Sequence, residues 1–139
     1  MRILYLIIHC QSGGILQKFD FIEQFAMDLK ADILTIAEAE LPANHSIPVL
    51  EGFSASRSCE LPSRLVTYIR SSIPANVSIY ESGLPGLAIH TAQSSFGFLY
   101  SPYTVNAYNP DSSRLSDKER RVRLLDYLDW FNNSAKSNS

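Results

Sequence analysis

The chain is poor in cysteine, in histidine and in net charge. Two cysteines, Cys10 and Cys59, are too few for a disulfide framework and form no metal-type pair, so a reducing compartment is the default expectation, with one bridge between them left open. Three histidines, His9, His45 and His90, have no local spacing that would pair them as metal ligands. A formal net charge of −2 exerts no overall pull toward nucleic acid, membrane or acidic substrates, so any such partner has to be held by a local patch. Long apolar runs are also lacking. The opening "MRILYLII" is too short for a signal-peptide core and meets His9 and Gln11 almost at once, and no run approaches membrane-spanning length. A soluble, intracellular chain with no membrane partner is expected. The "QSGG" stretch has neither the G-x-x-x-x-G-K-[ST] nor the G-x-G-x-x-G spacing, which makes it a plain turn and disfavours a small Rossmann-like nucleotide binder.

What the chain does have is core material. With 139 residues, 45% hydrophobic and 11% aromatic, it can build one compact domain. Residues 2 to 8, "RILYLII", are a short apolar stretch of the kind buried on both faces of a sheet. Ile15, Phe19, Ile22, Ala26 and Leu29 then recur at three-and-four spacing, one stripe of a helix. "ADILTIA" reads as a second buried strand, and a helical crossover between two strands of one sheet makes them parallel, with their C-terminal ends near His9 and Glu38 on one edge. "PVLEGFSASRS", "SRLVTYIR", "NVSIYES", "GLAIHTA" and "SFGFLYSPY" are β-branched and aromatic stretches cut by Pro, Gly, Ser and Asn, which predicts an antiparallel meander. Ser116 with Glu119 matches a capping box ahead of a last helix, whose predicted buried face is Leu124, Leu128 and Phe131, helped by Val122 and Leu125. Residues 135–139 are polar and expected to be a disordered tail.

Few residues carry obvious chemistry. Glu38 ends a buried strand, where a carboxylate is ordinarily just solvated but can also reach a ligand or a hard divalent cation. Glu40 has less to distinguish it. His9 shares the sheet edge of Glu38. Arg114, Lys118, Arg120, Arg121 and Arg123 form a basic cluster at a helix start; a solvated helix face is the ordinary reading, but basic charge there opposes the helix dipole, which leaves phosphate contact open.

In order and spacing, residues 1–134 resemble the first half of an endonuclease/exonuclease/phosphatase domain, in the version carried by LINE-type non-LTR retrotransposons. "LQKFDFIEQF" with "ADILTIAEAEL" resembles that family's helix and its "D-I-L-x-L-x-E-T-x-L" strand, "SRLVTYIRSSI" its Arg- or Gly-led strand, "FLYSPY" the strand ending in "V-Y-A-P" or "Y-R-P-P", and "RVRLLDYLDWF" the helix before its G-D-F-N strand. The resemblance implies a partial four-layer α/β sandwich of DNase-I-like type: a β-α-β start, an antiparallel strand meander, then a C-terminal helix. It implies a Mg2+-dependent (or Mn2+-dependent) phosphodiester hydrolase acting on DNA, with the nucleus among its locations. Glu38 falls at the metal position, Tyr100 at the active-site tyrosine, and the basic residues from Arg114 to Arg123 at the DNA backbone. Ile7 stands where the family has a first-strand Asn, so His9 is the nearest candidate to act there. The family's D-x-N and later Asp-His motifs have no counterpart in these residues. The expectation is therefore an incomplete domain with little or no nuclease activity on its own, completed by the missing half of the domain or by self-association through an uncovered sheet face. The competing expectation is a non-catalytic α/β relic or interaction module that binds no metal.

Overall fold

A computed structural model describes residues 5–9 (backbone), 14–82, 84–100 and 116–138. Among the described residues nine elements follow one another: β1 (Tyr5–His9), α1 (Gly14–Leu29), β2 (Ile33–Leu41), β3 (Phe53–Arg57), β4 (Ser63–Arg70), β5 (Ala75–Tyr80), β6 (Gly86–Thr91), β7 (Ser95–Leu99) and α2 (Asp117–Ser137). Every strand expected from the punctuated middle of the sequence is present, and the Ser116 cap closes on Glu119 in a full capping box.

The strands form two sheets. The first has the order β1-β2-β4-β3 and the second β5-β6-β7. β1 runs parallel to β2, as the helical crossover requires, and the other pairings are antiparallel.

The layers follow from which residues each strand turns to each side. Leu34 and Ile36 of β2 and Val66 and Tyr68 of β4 join Ile15, Ile22 and Ala26 of α1 in one cluster. Their odd-numbered neighbours Ile33, Leu65 and Ile69 pack instead against Leu87, Ile89 and Phe98 of the second sheet. Burying each such side chain contributes roughly 2 kcal/mol, so the alternation fixes the register firmly. Between the sheets the Thr35 and Thr67 hydroxyls share a buried hydrogen bond of 3.0 Å.

α2 covers the far face of the second sheet through Tyr127, Trp130 and Phe131. It comes close because the strands beneath it are small: a Cβ on Gly97 would lie 2.6 Å from the Tyr127 hydroxyl and 2.9 Å from the Phe131 ring. The Tyr127 hydroxyl donates to the Leu87 carbonyl at 2.8 Å.

This seat corrects the helix face drawn from the sequence. Leu124, Leu125, Leu128 and Val122 are all exposed, and of the expected face Phe131 alone packs inward. Aromatic rings at positions 127, 130 and 131 bury more area than the leucines and win the contact. The helix also continues to Ser137, with Asn138 closing it, so the polar end expected to be a disordered tail is helical through residues 135–137.

Candidate active site

β2 does not end cleanly. Ala37 pairs with Leu65 and Leu41 with Ser63, so four positions along β2 are matched by two along β4 and the strand bulges between them. Glu38 (φ 53°) and Glu40 (φ 51°) both take the left-handed conformation inside this bulge. For residues other than glycine this costs on the order of 1 kcal/mol each and persists only where the surroundings impose it.

Two neighbours impose it. Gly14, at φ +66°, lets the first turn of α1 come so close that a Cβ there would run into the Ala39 carbonyl oxygen and sit 2.9 Å from the Glu40 Cβ. On the other side Arg57 donates to the Leu41 carbonyl (2.8 Å), the Pro42 carbonyl (3.0 Å), the His45 carbonyl (2.7 Å) and the Ser63 hydroxyl (2.7 Å). One guanidinium thus ties down the chain that leaves the bulge.

The bulge aims Glu38 across to the second sheet, where Tyr100 follows β7. The Tyr100 hydroxyl donates to Glu38 Oε1 at 2.9 Å, a contact between residues 62 positions apart. Tyr100 is held at its backbone too, donating its N–H to the Pro85 carbonyl at 2.8 Å. Its ring lies under Arg64, whose guanidinium carbon is 5.5 Å from the ring centre. Burial, the bond to Glu38 and that carboxylate's charge together push the phenol up to about 12. Burial also raises the carboxyl of Glu40, with Arg64 pulling it back and Glu38 pushing it further up. An open apolar shelf of Pro42, Ala43, Leu61 and Pro62 adjoins Glu40.

The residues singled out from the sequence fare differently. Glu38 and Tyr100 meet. The His9 backbone ends β1 beside Ala37, on the sheet edge of Glu38 as expected; its side chain lies outside the described residues. Arg114 lies outside them as well. Lys118 and Arg121 are exposed on one side of α2, while Arg120 and Arg123 are half-buried on roughly the opposite side, so these four do not make one basic face. Arg57, Arg64 and Gly14 were not picked out. The available signals were an arginine at the second position of the strand "SRLVTYIR" and a glycine pair where a helix begins.

A divalent cation is fitted in part. Glu38 offers a hard oxygen donor, Glu40 a second carboxylate nearby, and Mg2+ commonly takes one or two carboxylates and completes its shell with water. Among the described residues no group of three or more His, Cys, Asp or Glu side chains converges. A larger cavity of about 570 Å3 is lined by Glu23, Lys30, Phe53 and Arg70 among others, and its arginine is already committed: Arg70 Nε bonds Asp32 at 3.1 Å and its guanidinium lies over Phe53. Fold and site together are those of a mixed α/β protein with an acid–phenol pair at the seam of two sheets. No protein-family model matches the chain, and no curated protein matches it at a significant level. Among the described residues no helix is long and apolar enough to cross a membrane.

Proposed function

We propose that the Glu38–Tyr100 cluster is a cation and phosphate site for phosphodiester chemistry on DNA, and that the chain corresponds to the N-terminal portion of a retroelement-type endonuclease domain with a DNase-I-like fold. The observation that carries this reading is the 2.9 Å bond between Tyr100 and Glu38. The resemblance to the endonuclease domain singles out both residues, Glu38 at the metal position and Tyr100 as the active-site tyrosine, and Glu38 reaches Tyr100 from a strained bulge of the type that re-aims side chains beside active sites.

In this reading Glu38 holds Mg2+ (or Mn2+), which when bound polarises the scissile phosphate. Tyr100 is protonated at neutral pH, as any phenol is, and its single O–H, donated to Glu38 in the free chain, would turn to a phosphate oxygen when Glu38 holds the cation. Lys118 and Arg121, exposed on α2, are the basic residues placed to meet a DNA backbone. The 139 residues contain neither an Asp-x-Asn nor an Asp-His sequence to orient a nucleophilic water, so cleavage by this chain alone is expected to be weak. In the described residues α1 and α2 pack on the outer faces of the two sheets, so the exposed apolar surface is not the sheet face expected from the sequence but the flank of α2, and the rest of such a domain, or a second copy, is the partner proposed to cover it.

The test is binding of a short fluorescent DNA duplex followed by anisotropy with and without Mg2+. Mg2+ should tighten binding, Glu38→Gln should remove the Mg2+ dependence, and Tyr100→Phe should weaken binding about tenfold, the worth of one charge-assisted bond. Affinity indifferent to Mg2+ and to Glu38→Gln would instead favour the non-catalytic module.

A further inference from the structure

An aromatic hydroxyl is a useful donor only if its ring is held, and Tyr100 stands one residue beyond the end of β7. Its ring packs on the apolar cluster between the two sheets, and the group that lies over its face is Arg64. This residue is only 5% exposed, although arginine rarely surrenders its hydration without a definite partner. Its backbone is anchored: the Arg64 N–H donates to Glu60 Oε2 at 3.2 Å, and the same oxygen accepts from the Ser58 hydroxyl at 2.7 Å. From that fixed base the planar guanidinium lies over the Tyr100 ring at 5.5 Å. A guanidinium over a ring face bears on it through a broad planar group, which a compact ammonium does not.

We propose that Arg64 is a positioning residue of the site: lying over the face of the Tyr100 ring, it sets the angle from which the hydroxyl reaches Glu38. Its charge also opposes the mutual repulsion of Glu38 and Glu40, since it is the cation felt by Glu40. The geometric claim stands by itself, and only its consequence for DNA rests on the function proposed above.

The test compares Arg64→Met, Arg64→Lys and Arg64→Gln with the unaltered chain by NMR. The readouts are the Tyr100 ring-to-Glu38 side-chain NOEs and the Tyr100 Cζ shift, which responds to a carboxylate bond. Met and Lys should lose the NOEs and move the Cζ shift toward that of a solvated tyrosine. Gln, which keeps a planar group, should retain most of both. NOEs and shift unchanged in Arg64→Met, or kept by Lys and lost by Gln, would overturn the proposal, the second outcome assigning Arg64 a role of charge alone. If Arg64→Met does not fold, the Lys and Gln pair decides. In the duplex assay Arg64→Lys should weaken Mg2+-dependent binding about tenfold, and combining it with Tyr100→Phe should cost little more, because both remove the same contact. NOE changes as expected, with no effect on DNA affinity, would uphold the positioning role and sink the nuclease reading alone.

Discussion

Glu38 and Glu40 adopt a backbone conformation that glutamate avoids, and the cause lies in other residues. Gly14 can approach the bulge only because it has no Cβ, and Arg57 holds the chain beyond it through three carbonyls and a hydroxyl. Gly14→Ala is therefore expected to destabilise the protein by on the order of 3 kcal/mol, combining strain at positive φ with a backbone clash. Urea denaturation measures this, and the loss should be accompanied by NMR shift changes at Ala39 and Glu40. A variant as stable as the parent would mean that the bulge does not depend on this approach.

Among the elements, α2 shows most clearly where sequence reading stops. Its start was legible, because a capping box is a local pattern written in two residues. Its buried face was not, because Leu124 and Leu128 satisfy the helical period as well as Tyr127 and Phe131 do, and the choice is made by the room that Gly97 leaves on another strand. The bulge in β2 was hidden because the second half of "ILTIAEAEL", Ala37–Leu41, alternates like a regular strand, and Ala39 and Leu41 join the α1 cluster only because the backbone departs from that alternation. The seat of α2 also carries a buried titratable group. His90 Nε2 and the Ser134 hydroxyl are 2.8 Å apart, His90 Nδ1 and the Ser95 hydroxyl 2.9 Å, and Ser134 donates to Ser78 at 3.0 Å. Burial holds the imidazole below its usual value of 6.5. The unfolded chain then takes up a proton that the folded chain resists, so this contribution to stability is intact above pH 6.5 and lost as pH falls below it. Denaturation at pH 7.5 and 5.5 should show a smaller acid loss in His90→Gln than in the parent; equal losses would contradict the assignment.

For the whole molecule, the two sheets and their flanking helices make a layered α/β unit that was largely foreseeable from the spacing of apolar residues and turns. Surface chemistry was less so. The exposed Val122, Leu124, Leu125 and Leu128 give α2 an apolar flank of the kind that drives association. Sedimentation equilibrium should detect concentration-dependent association that Leu125→Glu with Leu128→Glu abolishes; a monomer at every concentration would contradict it. The central claim, that Glu38 and Tyr100 form one cation-dependent site, is tested most directly by a Mg2+ titration followed by NMR. A saturable shift at Glu38 and Tyr100 with a common midpoint in the millimolar range, absent in Glu38→Gln, is the result expected. No saturable shift at either residue, or the same shifts in Glu38→Gln, would contradict it.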